Sequence, residues 1–235
     1  IMLSVLFVIG SFNIVFAESE QYSEEKIQEA LGILKILDVI SDDYTKDTAA
    51  NQEVTRAEFS YYAVRLIKLQ DYNHSTYFYD VPDSHWAFES INALASTGVV
   101  SGYGDHLFMP DQKISSTEAT TILLRLFGYS SEYFGANRFN SLAAELDLLK
   151  GFKGSSVLTF EDMLILLLNA LECNLCETKM GINKSYYIGD ETVLSKYYDS
   201  YFEKGILSGA SRISIYGESI NDNTAIIDGV EYINN

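Results

Sequence analysis

Val54-Thr55-Arg56-Ala57-Glu58 and, 60 residues later, Ile114-Ser115-Ser116-Thr117-Glu118 are two versions of one signal. Each sets a hydroxyl residue three positions ahead of a glutamate, a capping box in which the two side chains bond reciprocally to a helix start. Apolar residues at helical spacing follow: Phe59, Ala63, Leu66 and Ile67 in the first, Ile122, Leu123, Leu126 and Phe127 in the second. Thr159-x-x-Asp162, with Leu164, Leu167, Leu168 and Leu171 behind it, is a third and weaker version. The same 60-residue shift lays Leu31-x-x-Leu34 on Ile91-x-x-Leu94, Val39-Ile40-Ser41 on Val99-Val100-Ser101, and Arg65-Leu66 on Arg125-Leu126. Leu148–Phe152 matches Val99–Tyr103 at a shift of 49, while the third capping box matches the second at 44. The loop between them is therefore five residues shorter in the last copy.

Ahead of each box a first helix is expected. In the middle copy its apolar residues are Trp86, Ile91, Leu94 and Ala95, and it stops at Gly98, where glycine suits the left-handed end of a helix. A turn-rich loop, Ser101–His106, and then Pro110-Asp111 lead to the second helix. Neither helix of a copy can bury its apolar face alone. Three copies are expected to share one helical core that buries Trp86, Leu94, Leu123 and Leu167.

Composition narrows the function. The 235 residues carry a formal charge of −17, with 47% hydrophobic and 21% charged residues, an ordinary globular balance. Such acidity argues against nucleic acid and against electrostatic attachment to anionic lipid. Seventeen tyrosines suit a surface that is wet and sticky at once. Three His and two Cys equip the chain poorly for metal catalysis or a disulfide framework, so no metal or cofactor is called for.

Residues 1–17 read as a secretory signal: an apolar run to Phe16, Val15-Phe16-Ala17 at the cleavage site, then the acidic Glu18-Ser19-Glu20. The run is shorter than the roughly 20 residues of a spanning helix. The mature chain is expected to begin at Glu18, with the true N-terminus upstream of Ile1. No membrane insertion is expected after cleavage.

The middle copy carries Phe78-x-Asp80-Val81-x-x-x-His85-Trp86-Ala87, then Gly98-Val99-Val100-Ser101-Gly102-Tyr103-Gly104-Asp105, then Phe108-x-Pro110. It resembles an S-layer homology (SLH) repeat, and Val54–Glu58 resembles that family's ITRAE hallmark. The resemblance implies a mainly α, three-pronged spindle of three tandem repeats. It also implies non-covalent anchoring of a secreted bacterial protein to the cell wall. The implied partner is a pyruvylated secondary cell-wall polysaccharide or a peptidoglycan-linked glycan, held between prongs with the hallmark arginine as its anion partner. On this basis Thr55, Arg56, Glu58, Asp80, Trp86, Gly102, Asp105 and Ser116 are assigned to the glycan site. Arg56 follows the capping Thr55, where free N–H groups and the helix dipole favour an anion. Its bland alternative is a solvated arginine paired with Glu53 or Glu58. Trp86 is expected to pack rather than touch glycan, Asp80 to cap the next helix or hold a turn, and Asp105 to sit in a Gly-Asp-His turn. The hallmark arginine becomes Ser116 in the second copy and Phe160 in the third, so two grooves lack the cation.

Cys173-x-x-Cys176 stands alone and reads as a local disulfide or two free thiols. Beyond it a helix over Glu191–Lys204, capped by Asp190, striped with Val193, Leu194, Tyr197, Tyr201 and Phe202 and closed by Gly205, leads to short strands at Arg212–Tyr216, Thr224–Ile227 and Val230–Ile233 across an Asp228-Gly229 turn. The division expected is a signal at 1–17, SLH-like repeats at 18–72, 73–130 and 131–174, and a small α+β region at 175–235. That region is expected to continue past Asn235. Enzyme activity is not expected within the chain. The alternatives to glycan anchoring are an assembly module that binds other surface-layer proteins, and the anchor portion of a larger surface enzyme.

Overall fold

The computed structural model describes residues 22–44, 52–69, 77–154, 156–179 and 185–201, together with the backbone of four short strands between 207 and 233. The expected signal at 1–17, the cut before Glu18, Phe202, Gly205 and the Asp228-Gly229 turn lie outside the described residues.

Helices α1 (Glu24–Ile36), α2 (Arg56–Leu66), α3 (Phe88–Ser96), α4 (Ser116–Leu126), the single turn α5 (Ser131–Phe134), α6 (Ala136–Glu145) and α7 (Phe160–Glu172) make the chain mainly α. The capping boxes that open α2, α4 and α7 are all formed. Thr55, Ser115 and Thr159 accept from the N–H three residues on, and Glu58, Glu118 and Asp162 accept in return. The helices ahead of them end alike. Asp38, Gly98 and Asp147 adopt left-handed φ of 58°, 74° and 56°, and the next N–H reaches back to Leu34, Leu94 or Ala143 at 2.8–2.9 Å. That six-to-one bond satisfies a carbonyl the helix itself leaves open.

The packing is between copies, not within them. α1 lies on α7, α3 on α2 and α6 on α4, and α2 also touches α4 and α7. Each first helix thus covers the second helix of a different stretch. Just ahead of the three second helices the backbones join in a closed ring: Val54 N–H donates to Leu158 O (2.9 Å), Leu158 N–H to Ile114 O (2.8 Å), and Ile114 N–H to Val54 O (2.9 Å). The ring residues are buried, and so is almost every side chain of α7.

Leu94, Leu123 and Leu167 lie in this core as expected, but Trp86 does not. It is 59% exposed, because α3 begins only at Phe88 and Trp86 stands in the preceding turn. There His85 accepts the Ala87 N–H at 3.1 Å, and Ala87, Phe88 and Ile91 supply the buried face instead. Trp86 keeps an edge contact to Tyr61 and a stacked contact to His85, ring centroids 5.8 Å apart in each.

The region after α7 departs further from expectation. Strands β1 (Asn174–Lys179) and β2 (Ser185–Thr192) form an antiparallel hairpin that the sequence reading missed. Asp190 and Glu191 belong to β2, and the helix there, α8 (Val193–Tyr198), is short and capped by Thr192. Its Val193 and Leu194 are buried, while Tyr201 is exposed. Both cysteines are free thiols. Cys173 ends α7 against Leu146 O, and burial pushes its thiol up to about 12, the opposite of a reactive cysteine. Strands β3 (Leu207–Ala210), β4 (Ile213–Ser214), β5 (Thr224–Ile227) and β6 (Val230–Ile233) pair in the order β4-β3-β5-β6. Of these, β5 and β6 match the expected strands residue for residue.

Candidate functional site

A pocket of about 310 Å³ opens between the start of α2, the turn at residues 101–103 and the outer face of α4. One wall is Arg56, another is Ser101, Gly102 and Tyr103 over Val99 and Val100, and the third is Thr117, Glu118, Thr121 and Arg125 of α4.

Arg56 occupies the first position of α2, as the sequence implies, but its environment does not match the expectation. It is only 5% exposed. Its Nε donates to Phe108 O at 3.0 Å, and its Nη1 donates to Glu118 Oε1 at 3.0 Å, 62 residues along the chain. The guanidinium lies between the rings of Tyr103 and Phe108, 4.6 and 4.5 Å from their centroids. Neither Glu53 nor Glu58 pairs with it. The N–H groups expected to be free for an anion are taken: Arg56 donates to Gln112 O (2.9 Å), Ala57 to Pro110 O (3.0 Å) and Glu58 to Thr55 Oγ1 (3.2 Å). The crossing of the chain at Pro110–Gln112, not a ligand, satisfies this helix start.

Glu118 is the hub. Oε2 closes the Ser115 capping box, while Oε1 accepts from both Arg56 and the Tyr103 hydroxyl. Burial pushes its carboxyl up, but the Tyr103 hydroxyl, the two Ser115 bonds and the Arg56 charge outweigh this and hold it below the usual carboxylate value. Acidification therefore protonates Glu118 in the unfolded chain before the folded one. Its contribution is full above the ordinary carboxylate value and is lost as pH falls through the lower folded one. Urea midpoints followed into this acid range should fall more steeply for the wild type than for Glu118→Gln. Parallel slopes would show the hub to be electrostatically idle.

The other assigned residues divide. Thr55 and Glu58 serve the α2 cap. Asp80 caps no helix; its two oxygens accept from Phe108 N–H (2.8 Å) and Met109 N–H (2.7 Å), clamping the segment that carries Phe108 beneath Arg56. Gly102 lines the pocket, and an added Cβ there stands 2.3 Å from Leu107 O. Asp105 sits in the exposed turn with a left-handed φ of 48°, and neither it nor Trp86 lines the pocket. Ser116 opens α4, but its neighbour Thr117 faces the pocket. Tyr103, Thr117, Glu118, Thr121 and Arg125 were missed as pocket residues. Four-residue spacing along α4 could have found Thr117, Thr121 and Arg125; nothing local signals the Arg56–Glu118 pair.

At the start of α7 the related positions are filled by the chain itself. After Thr159, Phe160 takes the place of Arg56 and is buried, stacked on Tyr44 with centroids 5.0 Å apart and planes 12° apart. At the start of α7, Asp162 accepts from the Tyr22 hydroxyl (2.8 Å), which in turn accepts the Lys153 N–H (2.8 Å). Among the described residues no cluster of His, Cys, Asp and Glu could hold a metal ion, and no helix is long and apolar enough to cross a membrane.

The loop and clamp around this pocket belong to a recognised module: residues 77–115 match the family model of the S-layer homology domain. The chain thus contains an S-layer homology domain, and the relatives it matches are named as surface-layer and cell-wall proteins. It is 29% identical over 174 residues to a "Surface layer protein" of Brevibacillus choshinensis, covering 70% of this chain and 15% of that one. It is 27% identical over 172 residues to a "Middle cell wall protein" of Brevibacillus brevis, covering 70% and 16%. A "Cellulosome-anchoring protein" of Acetivibrio thermocellus is 34% identical over 73 residues, 29% of this chain and 16% of that one. The chain thus spans about a sixth of the length of the curated relatives it matches.

Proposed function

We propose that the chain is a non-enzymatic anchor that holds a secreted bacterial protein to the wall by binding secondary cell-wall polysaccharide. Residues 18–72, 73–130 and 131–174 are read as three SLH-like repeats around a pseudo-threefold axis, with 175–235 as an appended α+β region. The closed backbone ring and the cyclic packing of first on second helices support that architecture. The observation that carries the function is the pocket itself, where two arginines, a tyrosine ring and three hydroxyl side chains line one opening on an otherwise acidic protein. Rings give a sugar its stacking face, and hydroxyls and guanidinium groups match its polar rim. Phe160 stacked on Tyr44 and Tyr22 bonded to Asp162 occupy the related positions. Among the described residues this leaves one candidate site.

The purified chain should sediment with isolated wall sacculi, saturate near one copy per site, and stay in solution once the polysaccharide is stripped. Equal binding to stripped sacculi would remove the glycan from the account. The exposure of Tyr79, Tyr133 and Tyr201 favours a second reading, a protein–protein module of a surface layer. Concentration-dependent self-association without wall material distinguishes it.

A further inference from the structure

Arg65 and Arg125 stand 60 residues apart at matching places near the ends of α2 and α4. Each reaches the matching carbonyl: Arg65 Nε donates to Val39 O at 3.1 Å, and Arg125 Nη1 to Val99 O at 3.2 Å. Their remaining surroundings differ. Arg65 is ion-paired with Asp38 at 2.8 Å and lies over the Tyr61 ring, 5.3 Å from its centroid. The residues 60 positions after Asp38 and Tyr61 are Gly98 and Thr121. Both changes strip Arg125 of what Arg65 has, and among the described residues no carboxylate pairs with Arg125. It lines the pocket on one stripe of α4 with Thr117 and Thr121. Arg56, by contrast, is already committed to Glu118 and Phe108 O.

We infer that Arg125, not Arg56, is the residue that receives an anionic substituent of the wall glycan, a carboxylate held by its uncommitted donors. The inference rests on the glycan reading above. A guanidinium with one backbone bond keeps a free edge for a planar, two-point clamp on a carboxylate. The Thr121 hydroxyl, which donates to Thr117 O at 2.7 Å, offers its lone pairs to the sugar hydroxyls alongside.

The structure also supplies the variant that separates charge from packing. At the corresponding place in α7, Asn169 Nδ2 donates to Leu148 O at 3.0 Å, so an amide can hold this carbonyl. The full chain, Arg125→Asn and Arg125→Lys are titrated onto native sacculi and onto sacculi whose carboxylates have been reduced with carbodiimide and borohydride. Arg125→Asn should bind native sacculi roughly 10- to 100-fold more weakly than wild type, the worth of a charge-assisted bond. Arg125→Lys should recover only part of the affinity, since an ammonium restores the charge but not the two-point clamp, and the melting temperatures should stay close. On reduced sacculi, wild type and Arg125→Asn should bind alike. Wild-type affinity in Arg125→Asn on native sacculi, or unchanged wild-type binding after carboxylate reduction, overturns the role of Arg125 and leaves the anchor reading standing. Absence of wild-type binding to native sacculi overturns both.

Discussion

Arg56→Ala is expected to destabilise the protein by about 3 kcal/mol, at the low end for breaking a buried ion pair because Glu118 keeps partial contact with solvent. The change leaves Phe108 O without its side-chain donor, removes the cation facing Glu118, and takes away the guanidinium packed between Tyr103 and Phe108. Sacculus binding should collapse with it, since Tyr103 and Glu118 form two walls of the pocket. The sequence alone suggests that helix α2 survives this substitution, because Thr55 and Glu58 form the cap unaided. The structure changes that expectation: the cap persists, but the interface between α2 and α4 does not. Chemical denaturation reads the difference. A variant as stable as wild type that nonetheless fails to bind would return Arg56 to the role of a direct ligand contact.

Gly102→Ala is the second large effect, expected at about 2–3 kcal/mol from overpacking. Its origin is distance rather than dihedral freedom. The added Cβ would stand 2.3 Å from Leu107 O and 2.9 Å from the Phe78 ring. A ring edge can yield, but the carbonyl belongs to the bond from Tyr103 N–H to Leu107 O (3.0 Å) that closes the loop. The loop must therefore open, carrying Tyr103 away from Glu118. Loss of wall binding should accompany the drop in melting temperature, and the Tyr103–Glu118 contact should vanish from the structure of the variant. Full affinity in Gly102→Ala would show that the pocket tolerates a displaced Tyr103.

What the sequence revealed was what short-range chemistry decides. The capping boxes at Thr55, Ser115 and Thr159, the helix stop at Gly98 and the strands Thr224–Ile227 and Val230–Ile233 each depend on residues within a few positions, and each is found as read. Trp86 was misplaced because helical spacing was carried two residues ahead of the true start at Phe88. The β1–β2 hairpin was missed because Cys173 to Lys179 follow a helix without a break former, and Asp190 before Glu191 imitates a cap that Thr192 makes. The site was legible only in part. Arg56 and Gly102 carry visible motifs, whereas the partnership of Arg56 with Glu118 and the lack of a carboxylate partner for Arg125 among the described residues depend on which helix packs on which. That information resides in the pairing of α1 with α7, α3 with α2 and α6 with α4, and no local pattern encodes it.

The closed ring through Val54, Ile114 and Leu158 has a mechanical side. An anchor of the proposed kind would be loaded in tension, between its grip on the wall and the chain that leaves the end of α7. Pulling on α7 cannot peel it away strand by strand. Leu158 is bonded on both sides, and α1, from the opposite end of the helical unit, lies along α7 and must slide with it. Force entering at one point is therefore shared among all three second helices as shear. Rupture should come as one event at high load rather than as successive small yields, the behaviour of a buckle rather than a zip.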